Sequence, residues 1–232
     1  MTAPSADVLR ASPLFAGLPP RDVDALAAVA RQERVRARQT IFVEGDPARW
    51  FCLVVSGHVR IFRQSRGGKE VVLELLGPGE PFGGVAVIER RPYPASAQAT
   101  EASVILKIPQ EAIIAVAERH PALIREMALL IGRRLRAAHD SVKSLAADPV
   151  EARLAATLLR LAEREGTRSR EGVVLPFHLT RQSLADMSGT TVETAIRVVS
   201  RWQREGLVRD EGGRLVLADA RALRELVEGA ET

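Results

Sequence analysis

LTRQSLADMSGTTVETAIRVVSRW, residues 179–202, is the stretch on which the reading of this chain turns. Two short helical patterns flank Gly189. Thr180 stands where it caps the first, whose inward residues are Leu184, Ala185 and Met187, and Gly189 supplies the sharp turn between helices. Thr190 stands before the second, with Glu193 three residues on at the spacing of a capping box. Val192, Ala195, Val199 and Trp202 recur at helical spacing and face inward. That leaves Glu193, Ile196, Arg197, Arg201 and Arg204 outside. The pattern is a helix-turn-helix.

The outward face carries the groups that base reading needs. An Arg at 197 donates in pairs to guanine O6 and N7, and a Glu at 193 accepts from cytosine N4. Ile196 between them offers an apolar contact to a thymine methyl. Arg201 and Arg204 lie one and two turns further on, where phosphates are the expected partners, with Thr180, Arg181, Thr191 and Arg209 beside them. The plain alternative is a solvated face holding one i,i+4 ion pair. Two apolar runs, 207–209 and 214–217, joined across Asp210-Glu211-Gly212-Gly213, weigh against it. They predict a hairpin directly after the helix, which makes the unit a winged helix. Asp219 then caps a last helix carrying Leu223, Leu226 and Val227.

Upstream the period changes twice. Ile124, Ala128, Ile131, Leu135, Ala138, Val142 and Leu145 are spaced alternately four and three apart, a coiled-coil seam on a helix of about 25 residues. This predicts a homodimer helix, with Arg133, Arg134 and Arg136 keeping its other faces wet. Asp148-Pro149-Val150-Glu151 has the form of an N-cap, a first-turn proline and a capping-box acid, and marks a hinge. From about Gln39 to Pro109, short apolar runs (50–55, 58–63, 71–76 and 102–108) are broken by Ser56-Gly57, Gly67-Gly68 and Gly77-Pro78-Gly79. Strands at such intervals predict an antiparallel sandwich or jelly roll, led by a short helix from Arg21 to Arg31.

Composition bounds the rest. The 232 residues are 46% hydrophobic, which excludes low-complexity disorder, and the 17 Gly and 13 Pro show no repeat of a collagen-like kind. No run of 18 apolar residues occurs, and MTAPSADVLRASPLF lacks a basic segment leading into an apolar one; a soluble, cytoplasmic protein is expected. The single Cys52 excludes an intrachain disulfide, an iron–sulfur cluster or a thiolate zinc site, and its apolar surroundings suit a buried small hydrophobe. The net charge of +4 is no guide to a partner, because residues 148–232 hold 13 basic against 14 acidic groups.

The chain resembles the CRP/FNR superfamily of bacterial transcription regulators over nearly its whole length. The resemblance rests on SPLFAGL (12–18), IFVEGD (41–46), VSGHVR (55–60) and LGPGE (76–80), and on TVETAIR (191–197) with the family's Glu-x-x-x-Arg recognition spacing. It implies an α+β chain: an N-terminal jelly-roll, cyclic-nucleotide-binding-like barrel (1–120), a dimerisation helix (121–147) and a C-terminal winged helix-turn-helix (148–232). A homodimer on a palindromic double-stranded DNA site, with RNA polymerase as a further partner, follows from it.

The family's cyclic-nucleotide branch carries Gly-Glu and, about ten residues on, Arg-Ser; the Glu holds the ribose and the Arg the cyclic phosphate. Here Gly84 stands for the acid and no Arg precedes Ser96, so cyclic AMP or GMP held in that way is not expected. Gly83, Gly84, Val85, Ser96 and Ala97 mark the corresponding effector pocket. The stretch 94–109 is closer to the FNR branch, whose oxygen-sensing cysteine cluster this chain lacks. His58 is the one barrel residue that suits haem; Arg90 and Arg91 read as exposed. Three alternatives stand beside a signal-controlled DNA-binding regulator. They are a haem- or redox-linked sensor of the same fold, a protein-interaction module, and a cupin-type barrel enzyme, which needs clustered His and Glu for its metal. Neither a catalytic residue nor a metal ligand is expected.

Overall fold

The computed structural model describes residues 5–65, 68 and 70–230. The first four residues of the amino-terminal stretch, and Gly67 of the expected Gly67-Gly68 turn, lie outside them. Contacts divide the chain into two compact units. One runs to Ser65 and resumes over Leu73–Arg136; the other holds the chain from Ala137 onward and the short stretch ending at Val72.

The first unit opens with helices α1 (Ser5–Ala11) and α2 (Pro20–Val29), so the expected lead-in helix starts a residue early and ends where strand β1 (Arg31–Val35) begins. The barrel continues through β2 (Thr40–Phe42), β3 (Trp50–Ser56), β4 (Val59–Gln64), β5 (Glu70–Leu76) and β6 (Pro81–Phe82). After helix α3 (Gly84–Glu89) come β7 (Ser96–Ala99) and β8 (Ser103–Pro109), then helices α4 (Gln110–Arg119) and α5 (Pro121–Ala147). The strands form two four-stranded sheets, ordered β1-β8-β3-β6 and β2-β7-β4-β5. Observed pairs are antiparallel, with Cys52 opposite Lys107 and Leu53 opposite Leu106. Strands β3 and β8 are buried on both faces because one core, around Cys52, Val54, Val59 and Ile105, fills the barrel. A second, around Phe51, Leu53, Leu106, Ile108 and Ile113, joins its outer wall to the helices. This explains the near-continuous apolar runs in the sequence.

Cys52 is fully buried, and desolvation pushes its thiol up to about 12. His58, also buried, has its Nδ1 2.6 Å from Glu101 Oε1.

In the second unit, helix α6 (Val150–Glu165) leads into β9 (Thr167–Ser169) and β10 (Gly172–Val174). Helices α7 (Arg181–Met187) and α8 (Val192–Arg204) follow, then β11 (Val208–Glu211), β12 (Arg214–Leu217) and α9 (Ala220–Glu228). The predicted wing is present, but it is half of a four-stranded sheet ordered β11-β12-β10-β9. The segment around His178, beyond the end of β10, is not a strand. Asp219 caps α9 by accepting from the amides of Arg221 and Ala222.

Two caps differ from expectation. Asp148 does not cap α6: Pro149 holds the N-cap position, with no side-chain hydrogen bond, and Glu151 is used elsewhere. The cap of α8 is Thr191, whose hydroxyl accepts from Thr194 N at 3.3 Å; Thr190 instead donates its backbone amide to Ala185. Thr180 caps α7 as expected, accepting from Ser183 N at 3.0 Å.

Gly189 takes φ +60° in the turn between α7 and α8, and a Cβ there would run into Leu145 Cδ2. Holding a side-chain-bearing residue in the left-handed region costs about 1–2 kcal/mol. Gly189→Ala should therefore lower unfolding stability by at least that amount in urea melts monitored by Trp202 fluorescence, while Gly212→Ala, with open space around it, should lose only the conformational part.

Candidate nucleic-acid interface and effector cavity

Helix α8 is strongly two-sided. Ala195, Val198, Val199 and Trp202 are buried and Val192 half-buried, while Glu193, Ile196, Arg197, Ser200 and Arg204 are exposed. Ile196, on the same face as Glu193 and Arg197, is 47% exposed. No ion pair joins Glu193 to Arg197 among the described residues. Among the described residues Arg197 and Arg204 have no acidic partner, which leaves their guanidinium groups available to an anion.

The other arginines of the predicted stripe are engaged. Arg181 lies 3.9 Å from Asp210, and Arg209 3.9 Å from Glu171. Arg201 is ion-paired with Glu151 and approaches Glu205; the hydrogen bond to Glu151 raises its pKa. The hydroxyls of Thr180 and Thr191 cap their helices, though both residues remain exposed.

Sequence reasoning missed the side chains that hold this face in place. Glu151 Oε1 accepts the indole N–H of the fully buried Trp202 at 2.8 Å, in addition to pairing with Arg201. Arg153, one turn into α6, donates to three carbonyls: Asp148 O at 2.8 Å, Ser188 O at 2.9 Å and Gly189 O at 3.2 Å. One guanidinium thus ties the end of α5 to the turn of the helix-turn-helix. The Ser188 hydroxyl donates to Thr157 Oγ1 at 3.0 Å within the same joint. The sequence shows only that Arg153 stands near the start of a helix, and spacing gives no hint of partners 35 residues away.

Helix α5 carries two apolar stripes. Leu123 and Met127 are buried and Leu130 half-buried against the barrel. All seven residues of the predicted seam are exposed, Val142 to 65% and Leu135 to 54%. Arg134 corrects the expected wet face. It is half-buried, donates to Pro81 O at 2.7 Å and sits 3.3 Å from Glu74.

Between the inner stripe and the barrel lies a cavity of about 210 Å³. Of the residues named for the effector pocket, Gly83, Gly84 and Val85 line this cavity; Ser96 and Ala97 do not. Both are buried in β7, and the Ser96 hydroxyl accepts from Glu44 N at 2.9 Å. Tyr93 forms part of the wall, its ring stacked on Phe42 at 3.7 Å between centroids. The Tyr93 hydroxyl donates to Trp50 O at 2.7 Å and accepts from Trp50 N at 3.1 Å, and burial raises its pKa. His58 does not border the cavity. Among the described residues no three His, Cys, Asp or Glu side chains gather as a metal site, and no helix is long and apolar enough to cross a membrane.

Comparison with known proteins agrees with this architecture. A cyclic nucleotide-binding domain model matches residues 32–120, and a Crp-like helix-turn-helix domain model matches residues 152–226. The chain is 34% identical to the cyclic AMP receptor protein of Thermus thermophilus, over 95% of this chain and 99% of the relative. It is 28% identical to the transcriptional activator protein FnrA of Stutzerimonas stutzeri, over 90% and 86%. Its fold is similar to that of FixK2 from Bradyrhizobium japonicum, with a TM-score of 0.76 at 24% identity over 85% of this chain and 97% of that one. The chain belongs to the CRP/FNR superfamily of transcription regulators, whose helix-turn-helix binds DNA.

Glu151 yields a direct test of how α8 is held. In Glu151→Ala the buried indole N–H of Trp202 loses its acceptor, a change worth about 1–3 kcal/mol. Glu151→Gln keeps an acceptor and should retain most of the stability while releasing Arg201. Equal denaturation midpoints for the two variants would show that the indole bond contributes nothing.

Proposed function

We propose that the chain acts as a homodimer that binds a palindromic double-stranded DNA site, with α8 of each subunit in a major groove. The observation that carries this is the outer face of α8: exposed Glu193, Ile196 and Arg197 aligned on a helix whose opposite face is core. Those three read base edges. Thr180, Arg181, Thr191, Arg201, Arg204 and Arg209 face the phosphate backbone. For Arg181, Arg201 and Arg209 this requires exchange of an acidic partner for a phosphate, so Arg204 supplies the most available backbone cation.

The dimer is built on the seam of α5, Ile124 to Leu145, whose heptad spacing and exposure suit a second copy of the same helix. Two-fold symmetry then sets half-sites about 34–36 Å apart. In this reading residues 1–120 sense, 121–147 pair the subunits, and 148–232 bind DNA. The protein works in the cytoplasm with RNA polymerase as a partner and catalyses no reaction.

Fluorescence anisotropy on DNA fragments over a salt series tests the interface. Wild-type affinity should fall steeply with salt as counterions are released. Arg197→Ala should lose about 1–3 kcal/mol on the specific site and relax discrimination at one base pair. An equal loss on every sequence would show that Arg197 touches only phosphate. Leu135→Glu and Val142→Glu place charge at exposed positions that the monomer does not need. Both should sediment as folded monomers, and a persistent dimer would sink the seam assignment.

A further inference from the structure

The cavity between α5 and the barrel lies where the family's cyclic-nucleotide branch holds its ligand, yet its walls do not fit a cyclic nucleotide. A Cβ on Gly84 would lie 2.8 Å from the Phe51 ring and 3.2 Å from Met127 Cε, so the space an acidic side chain would need is already filled. No arginine precedes Ser96. Tyr93 there lies flat on Phe42, with its hydroxyl committed to both backbone polar groups of Trp50. The wall is made of aromatic and aliphatic side chains, among them Phe51, Phe82, Met127 and Leu130. Glu74 and Arg134 are its charged members, and they neutralise each other. Among the described residues a cyclic phosphate buried there would meet no unpaired cation, and an unpaired buried anion is strongly disfavoured.

We infer that this cavity binds an uncharged, mainly apolar small molecule of single- or fused-ring size, carrying one hydroxyl that bridges Arg134 and Glu74. An apolar cavity of about 150 Å³ holds benzene; 210 Å³ therefore suits about ten non-hydrogen atoms. A hydroxyl both accepts and donates, which matches a guanidinium and a carboxylate side by side. Exposed Leu73 and Val85 mark the open side through which such a molecule enters. Once seated it would touch Met127, Leu130 and Ile131 of α5, and Ile131 also belongs to the outer seam.

The inference deepens the sensing half of the proposed function. It is tested without DNA, so failure here leaves the DNA-binding reading standing, and the reverse also holds. Isothermal titration calorimetry of the full-length chain would compare 2-naphthol, 2-naphthoate and cyclic AMP. The expected result is saturable binding of 2-naphthol at one per chain, with no heat from the two anions. Leu130→Trp, which fills the cavity, and Val85→Trp, which covers its mouth from an exposed position, should each weaken 2-naphthol at least tenfold. Arg134→Gln should weaken it severalfold. Val85→Trp keeps the test valid if Leu130→Trp does not fold. Absence of 2-naphthol binding, binding untouched by Val85→Trp, or tighter binding of either anion would overturn the inference.

Discussion

Helix α5 has to satisfy two partners along one rod, and that constraint organises much of the molecule. Its inner stripe, Leu123, Met127 and Leu130, closes the wall of the barrel. Its outer stripe, Ile124 to Leu145, is exposed along its length. The exposed residues at heptad spacing are the face on which the proposed dimer is built. The charge on the inner side is handled by pairing Arg134 with Glu74 and Pro81 O, so that a residue which reads as solvent-facing becomes part of a cavity wall.

The same economy shows at the other end of the chain. Glu151 and Arg153, two residues apart on α6, project to separate neighbours. One takes the indole of Trp202 and the guanidinium of Arg201; the other takes two successive carbonyls where the α7–α8 turn begins and one at the end of α5. Buried polar groups need partners of good geometry, and here those partners fix the position of the helix that carries Glu193, Ile196 and Arg197. The support lies entirely behind that surface, and Glu193, Ile196 and Arg197 remain exposed in front of it.

Periodicity was the legible part of the fold. The heptads of α5, the 3.6-residue pattern of α8, the wing and the longer barrel strands all announce themselves through spacing, and the structure places them within a residue or two. Caps were less legible. Thr190 and Thr191 are adjacent and chemically alike, and only backbone geometry chooses Thr191. At Asp148-Pro149-Val150-Glu151 the capping-box spacing is present, but a stronger bidder 51 residues away claims Glu151. Strands β9 and β10, three residues each, are too short to carry an alternating pattern. At the candidate sites, the outer face of α8 followed from its helical period, whereas the pairing of Arg181, Arg201 and Arg209 with acids did not. Gly84 in place of an acid signalled an altered pocket. That Ser96 and Ala97 do not line it, and that Tyr93 does, depends on contacts between strands and could not be read along the chain.

Cys52 lies wholly within the barrel, and its thiol stays protonated far above neutral pH. Since the thiolate is the reactive form, the chain offers a chemically silent background toward alkylating and maleimide reagents while it stays folded. A cysteine introduced on the outer face of α5 or α8 would then be the sole site of labelling. Distances between two subunits, or between a subunit and DNA, become measurable by spin or dye pairs without removing any native residue.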